Sequence, residues 1–193
     1  MSKSKREQNL ASKSRPQSNS DEQARPSATE EEVKRLINQG ADHLERGRAE
    51  LALQYLQKAW ELDSSHVAAA INLAGAYILL GRHKEAVPLL ERAVTLEAHN
   101  PMIWVNLGAA YLGNPVLASL ERQERAIQAF ERALELQPGI PNANYNLGLI
   151  FRDQQRWERA RQEFERALEV NPVDSDARML LDQVRAMPAK DQE

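Results

Sequence analysis

Apolar residues recur every three or four positions along most of the chain, in segments separated by short polar stretches. The first such segment carries Val33, Leu36 and Ile37, a spacing typical of one face of an α-helix. The segments come in pairs, because a first one ends near a glycine, as at Gly47 and Gly81, and a second begins a few residues later. The pattern therefore predicts an all-α chain built from helix–turn–helix units.

These units are internal repeats, because two independent sets of residues recur at the same spacing. The Asn-Leu pairs that begin at positions 72, 106 and 146 are offset by 34 and 40 residues. Alanines of the second helices are offset by 34, 40 and 34 residues, at Ala59, Ala93, Ala133 and Ala167. A period of 34, interrupted once by six extra residues, divides the chain into repeats 33–66, 67–100, 101–140 and 141–174.

The third repeat carries the clearest motif, which consists of Trp104, Leu107, Gly108, Tyr111, Ala126, Phe130, Ala133 and Pro138. Together with the period of 34, this motif resembles the tetratricopeptide repeat (TPR) family. The resemblance covers about residues 33–187. It implies a right-handed α-solenoid of four TPR helix–turn–helix repeats plus a C-terminal capping helix. Residues 175–187 fit that helix, with Ser175 as a candidate N-cap and an apolar face formed by Ala177, Leu180, Leu181 and Val184.

Three glycines interrupt the predicted first helices, at Gly40, Gly108 and Gly148. Glycine inside a helix costs about 1 kcal/mol relative to alanine. We expect each glycine to admit a neighbouring helix at close range, with large side chains such as Phe130 and Phe164 filling the space.

The six extra residues lie between the two helices of the third repeat. We expect Gly113 to end the first helix and Asn114-Pro115 to turn the chain. Ser119 is a suitable N-cap for a second helix from about Leu120 to Leu136. Since the repeat pattern resumes in phase on both sides, the insertion is a loop and does not mark a domain boundary.

Both ends of the chain are polar, and we expect disorder in residues 1–28 and 188–193. The first segment is basic near its start, so it is either a solubilising tail or a contact arm for an acidic partner. Thr29 and Glu32 fit a capping box, which places the start of the TPR domain at residue 29 and gives it the range 29–187.

Composition excludes several classes of function. The chain has no cysteine, 25 Lys and Arg residues, and 28 Asp and Glu residues, for a net charge of −3. Cysteine catalysis and cysteine-ligated zinc are excluded, and the net charge gives no reason to expect nucleic acid as a partner. Neither a signal sequence nor a long apolar run is present, so we expect a cytoplasmic protein. The four histidines form no metal-ligand pattern, and we expect no enzymatic activity, metal or cofactor.

The resemblance implies that the first helices line a concave groove, which would be the binding surface. An asparagine occupies the sixth position of every repeat, at Asn38, Asn72, Asn106 and Asn146. An asparagine amide can donate and accept hydrogen bonds at once, so this row either holds the backbone of an extended peptide or reflects a common residue of the repeat. The other predicted groove residues are Ile71, Ile78, Val105, Leu112, Tyr145, Leu149 and Arg152.

Three hypotheses for function follow. The first is a non-catalytic module that binds a peptide or extended segment of another protein in the groove. The second is a scaffold or assembly subunit that docks through its convex face, its ends or the 113–120 loop. Val116 and Leu117 in this loop either fold back onto the array or project from its edge as contacts. The third, weaker hypothesis is nucleic-acid contact through the basic tail. The identity of the partner and the oligomeric state do not follow from the sequence.

Overall fold

A computed structural model of the chain describes residues 27–114 and 118–187. Most of the two segments predicted to be disordered lies outside the described residues, as do the candidate loop contacts Val116 and Leu117. The exceptions are Ser27 and Ala28, which form the N-cap and the first residue of the first helix. Within the described residues the chain forms only helices: α1 (Ala28–Glu45), α2 (Ala49–Leu62), α3 (Val67–Leu79), α4 (His83–Leu96), α5 (Pro101–Leu112), α6 (Leu120–Leu136), α7 (Ala143–Asp153), α8 (Trp157–Val170) and α9 (Ser175–Arg185).

The helices stack in consecutive pairs. Each of α1, α3, α5 and α7 packs against the helix that follows it, and each pair packs against the next through α2–α3, α4–α5, α6–α7 and α8–α9. Among the first helices, α1 also packs on α3, and α3 on α5. First helices therefore form one layer and second helices another. The predicted all-α solenoid is confirmed.

The glycines inside the first helices allow the close packing that the sequence predicted. A Cβ atom on Gly108 would lie 2.7 Å from Cε1 of Phe130, which is closer than packed carbon atoms approach. A Cβ atom on Gly40 would likewise lie too close to the Leu56 side chain, and one on Gly148 too close to the Phe164 ring. In each of these three repeats, a large side chain of the second helix thus rests directly on the backbone of the first.

Two helix N-caps differ from the sequence-based expectation. Ser27, and not Thr29, caps α1, with its hydroxyl accepting from the Glu30 amide at 3.2 Å. Asp174, and not Ser175, caps α9, where its Oδ1 accepts from two amides at 3.0 and 2.9 Å. The carboxylate satisfies two free N–H groups at once and carries negative charge at the positive end of the helix.

The insertion is divided between a longer connection and a longer helix. Gly113 is the C-cap that follows the last residue of α5, and Ser119 is the N-cap of α6, as the sequence predicted. Helix α6 has 17 residues whereas α4 has 14, so one extra turn precedes the regular part of the repeat. Arg122, in that turn, donates from Nε to the Tyr111 carbonyl at 2.9 Å. The insertion therefore places a turn of α6 against the end of α5.

Polar contacts also join the second and third repeats. The Tyr111 hydroxyl donates to Glu91 Oε1 at 2.8 Å, and Arg125 Nη2 donates to the same oxygen at 3.0 Å. The Arg125 guanidinium lies 4.0 Å from the centre of the Tyr111 ring. Burial and the neighbouring Glu91 carboxylate raise the pKa of Tyr111, while Arg125 acts in the opposite direction.

Helix α9 closes the array and carries a charge where a further repeat would need a small residue. A shift of 34 residues aligns Leu147 with Leu181 and Gly148 with Asp182. Leu181 is buried against the fourth repeat, whereas the Asp182 side chain is 69% exposed. An aspartate at the glycine position would prevent the close approach of another second helix, so α9 acts as the predicted cap.

Glu163 is a buried carboxyl in α8, with 6% exposure. Its Oε1 accepts from Arg166 at 2.6 Å, while Oε2 is buried without a hydrogen-bond partner. Burial raises the pKa of Glu163, although the Arg166 and Arg159 guanidinium groups act in the opposite direction. The ionised form is therefore less favourable in the folded chain than in the unfolded one.

We expect Glu163→Gln to raise the free energy of unfolding at pH 7 by roughly 1 kcal/mol. A carboxyl whose pKa is raised by folding stabilises the fold below the unfolded pKa, and this contribution is lost as the pH rises through the folded pKa. The difference between variant and wild type should therefore disappear near pH 3, as measured by urea unfolding at several pH values. Glu158→Gln, in an exposed pair with Arg161 on the same helix, is the matched control and should change stability by less than about 0.5 kcal/mol. A destabilised Glu163→Gln at pH 7 would contradict the expectation.

None of the helices in the described part of the chain combines the length and the hydrophobicity that crossing a membrane requires.

Candidate functional site

The asparagine row lies on the first-helix layer. Asn38 is exposed, and Asn72, Asn106 and Asn146 are half-buried, one each on α1, α3, α5 and α7. Equivalent positions in successive repeats place the four side chains on corresponding faces of neighbouring first helices. None of the four is buried in the core, so each amide keeps some contact with solvent.

The fourth asparagine is partly engaged within its own helix. Asn146 Nδ2 donates to the Asn142 carbonyl at 2.8 Å. Asn142 has a left-handed backbone conformation, with φ of 69°, at the start of α7. Asn146 therefore offers chiefly its carbonyl oxygen to a ligand, whereas the side-chain amides of the other three asparagines make no hydrogen bond within the described residues.

The predicted apolar groove residues separate into two groups. Ile71, Ile78, Tyr145 and Leu149 are half-buried, and can contact a ligand as well as the core. Val105 and Leu112 are only 6% and 2% exposed, and both belong to the core cluster of the third and fourth repeats.

Leu112 lies at the end of α5 and is buried, whereas the corresponding residue of the second repeat, Ile78, lies near the end of α3 and is half-buried. Among the apolar side chains of the first helices, Leu79 at the end of α3 and Met102 at the start of α5 have the largest exposed fractions, 64% and 45%. The accessible apolar surface of the groove is therefore carried by α3, α7 and the start of α5.

The positive charge of Arg152 is neutralised by its neighbour. Arg152 donates from Nε and Nη2 to Asp153 Oδ1 at 3.1 and 2.9 Å, and the two side chains are 27% and 18% exposed. The groove at α7 therefore presents a paired charge. It does not present a free cation of the kind that binds a carboxylate.

A buried glutamine that the sequence analysis did not single out connects the insertion to the fourth repeat. Gln123 is 7% exposed. Its Nε2 donates to the Ala118 carbonyl at 3.4 Å, and its Oε1 accepts from Gln154 at 2.8 Å. The sequence signal was a polar residue three positions before the repeat alanine Ala126, where the fourth repeat has Trp157.

A cleft of about 240 Å³ opens at the end of the array, between the start of α7, the end of α8 and the N-cap of α9. We call it the C-terminal cleft and define it by Ile140, Asn144, Tyr145, Val170, Asn171 and Asp174. A cleft of about 410 Å³ occurs two repeats earlier. There His66, Ile71, Glu97 and Asn100 correspond to Ile140, Tyr145, Asn171 and Asp174, and we call it the second-repeat cleft.

Asn144 distinguishes the C-terminal cleft from its counterpart. It is 6% exposed, and its Oδ1 is buried without a hydrogen-bond partner. The equivalent residue is Trp104 in the third repeat, where the indole N–H donates to the Ala98 carbonyl at 2.8 Å, and Ala70 in the second. In the sequence, the signal was that polar Asn144 occupies the position at which the third repeat has the aromatic Trp104.

The described residues bring together no group of three or more histidine and carboxylate side chains that could hold a metal ion.

Comparison with known proteins gives matches to one family. Family models described as tetratricopeptide repeat match residues 43–104, 81–141 and 115–174. No curated protein sequence matches the chain.

Several solved structures have the same fold. The chain is 25% identical to PilF of Pseudomonas aeruginosa, with a TM-score of 0.68, over 81% of this chain and 68% of that one. It is 19% identical to a thermophilic TPR protein of Thermus thermophilus, with a TM-score of 0.69, over 79% and 80% of the two chains. For a MamA protein the identity is 21% and the TM-score 0.63, over 80% and 81%.

Proposed function

Because the chain belongs to the tetratricopeptide repeat family, whose arrays are protein–protein interaction modules, we propose that it binds an extended segment of a partner protein in its first-helix groove. It does so without catalysis. The observation that carries the proposal is the row of four asparagines, one in each repeat, whose side chains all remain outside the core.

The chemistry of the row suits a peptide backbone. An extended peptide presents N–H and C=O groups along its length, and amide side chains can pair with both. Such pairing holds the backbone without selecting its sequence. Selectivity then comes from the accessible apolar side chains beside the row, chiefly Ile71, Leu79 and Tyr145, which would contact side chains of the bound segment.

Replacing Asn72 and Asn106 together by alanine is expected to weaken partner binding about 10- to 100-fold. Each lost amide pair contributes about 0.5–1.5 kcal/mol, and 1.4 kcal/mol corresponds to a factor of ten in affinity. The partner is first captured with the full-length chain and identified by mass spectrometry, and its affinity is then measured by calorimetry. The matched control replaces Gln54 and Gln162, two exposed amides on α2 and α8, by alanine and should leave the affinity unchanged.

A second mode of action is favoured by one observation. Leu120, the first residue of α6, is 76% exposed, and it adjoins the insertion that no other repeat contains. If the chain acts as a scaffold that docks through the 113–120 loop, shortening this loop to the length found in the second repeat will abolish association. The asparagine double variant would then bind as well as the wild type, and that outcome would eliminate the groove proposal.

A further inference from the structure

The C-terminal cleft has an apolar wall and one unsatisfied polar group. Ile140 is buried, and Val170 and the Tyr145 ring provide partly accessible apolar surface. Asn144 lines the same cleft, and its carbonyl oxygen is buried without a hydrogen-bond partner. An unsatisfied buried acceptor destabilises a fold, so a ligand that supplies a donor would gain from pairing with it. The terminal torsion of an asparagine is soft, so rotation of the amide can turn this oxygen toward a ligand in the cleft.

The rim of the cleft is negative. Asp174 uses Oδ1 to cap α9, and within the described residues its Oδ2 takes no hydrogen bond. Burial first, and then the Asp176 and Asp174 carboxylates, raise the pKa of Tyr145, while Arg152 acts in the opposite direction. The Asn171 amide adds a neutral polar group to the lining. Acceptors and negative charge at the rim of an apolar cleft favour a cation that carries several N–H donors.

We propose that the C-terminal cleft binds an arginine side chain of the partner segment, with the guanidinium between Asn144 Oδ1 and the Asp174 carboxylate and the aliphatic stem against Val170. The identity of the partner as an extended segment rests on the proposed function of the groove. The cleft adds the requirement that this segment carries an arginine at the end nearest α9.

Arginine fits these groups better than other side chains do. Its planar guanidinium has five donors, stacks on aromatic rings and is more weakly hydrated than an ammonium group, so it can serve a carboxylate, a neutral amide and the Tyr145 ring together. Lysine brings a strongly hydrated point charge. The volume of about 240 Å³ lies below the usual range for drug-sized ligands and suits a single side chain.

The test uses N-acetyl-arginine amide as the probe and the full-length chain labelled for NMR. We expect saturable shifts at Ala167, Val170 and the Asn144 side-chain amide, with a dissociation constant of about 1–10 mM, since a single side chain makes few contacts. The lysine analogue should bind at least about threefold more weakly, because it lacks the planar donors. The citrulline analogue, which keeps N–H donors without the charge, should bind about fivefold more weakly or worse.

Three variants locate the site. Asn144→Leu removes the acceptor at similar volume, and Asp174→Asn removes the charge while asparagine caps the helix equally well; each should weaken arginine binding about 3- to 10-fold. Asn144→Trp places a large ring in the lining of the cleft and should abolish the shifts. Gln162→Leu makes an amide-to-leucine change at an exposed position of α8 outside the cleft, and should leave arginine binding unchanged. Melting temperatures of all variants establish that they are folded.

The second-repeat cleft provides an internal comparison. It is lined by the carboxylates of Asp63 and Glu97, but it has Ala70 in place of Asn144. If arginine binds through charge alone, Ile71 will shift as much as Val170 does, and lysine will match arginine. Either result overturns the proposal, as does the absence of saturable shifts at Val170.

Failure of the cleft and failure of the groove can be told apart. If the arginine probe does not bind the cleft but the Asn72/Asn106 variant binds the partner more weakly, only the cleft proposal is eliminated. Arginine binding that follows the variants as expected, together with unchanged partner affinity of the Asn72/Asn106 variant, retains the cleft and eliminates the groove.

Discussion

Replacing Phe130 by alanine is expected to lower the free energy of unfolding by about 3–5 kcal/mol. The ring is fully buried in the core cluster of the third and fourth repeats, and it lies against the backbone of Gly108. The first helix cannot close the resulting cavity, because α5 is held by packing on α3, α4 and α6. Urea unfolding followed by circular dichroism measures the loss. Leu120→Ala, at an exposed position of the same helix, is the control and should change stability by less than about 0.5 kcal/mol.

The partner of Phe130 makes this expectation more specific. Gly108→Ala adds a methyl group 2.7 Å from the ring, so it should destabilise the wild type even though alanine is the better helix former. In a Phe130→Leu background the same change should cost less, with a coupling energy above about 0.5 kcal/mol in a double-mutant cycle. A Gly108→Ala variant as stable as the wild type would show that the close contact between α5 and α6 is not required.

Ending the chain after Asp174, so that α9 is lost, should cost about 5 kcal/mol and expose a surface prone to association. Three large residues of α9 are buried against the fourth repeat, namely Leu180, Leu181 and Val184, and burial of such a side chain stabilises by about 1.5–3 kcal/mol. Loss of α9 would expose apolar side chains of α7 and α8 to solvent, and repeat arrays without an end cap lose solubility. Urea unfolding and light scattering measure the two effects.

The control for this truncation is a change on the outer face of the same helix. Met179 is 52% exposed, so Met179→Ala should stay within about 0.5 kcal/mol of the wild type and remain monodisperse to the same degree. If the truncated chain unfolds at the same urea concentration as the full chain, α9 is an appended helix and does not act as a cap.

The fold followed from the sequence because several local signals agreed with each other. The period of 34 and the alanine positions predicted the helix pairs, and Gly113 and Ser119 predicted the bounds of α5 and α6 around the insertion. Glycines inside helices predicted the contacts with Phe130 and Phe164. Each of these signals is local, and the repeat multiplies it, so that tertiary context had little to override.

The groove and the cleft were less accessible to sequence reasoning. A groove position in the repeat does not guarantee an exposed side chain, since Leu112 is only 2% exposed. The extra turn of α6 depends on how the six inserted residues divide between helix and loop, which periodicity does not determine. Asn144 departs from the motif, but a departure becomes a candidate site only when the neighbouring helices leave space beside it. The bearing of the asparagine row on peptide binding stays a prediction.

Asp182 determines where further repeats can be added to this chain. A new repeat added after α9 would meet a charge where its second helix must touch backbone. A copy of residues 141–174 inserted before Ser175 would instead receive α9 on its own second helix, so that the packing of α9 is preserved. It would add one new contact, between the existing α8 and the copied first helix. Internal duplication therefore lengthens this chain without a change in its capping helix, whereas extension at its end requires the capping helix to change first. The C-terminal cleft would travel with the new last repeat, and the earlier copy would face another first helix in place of α9.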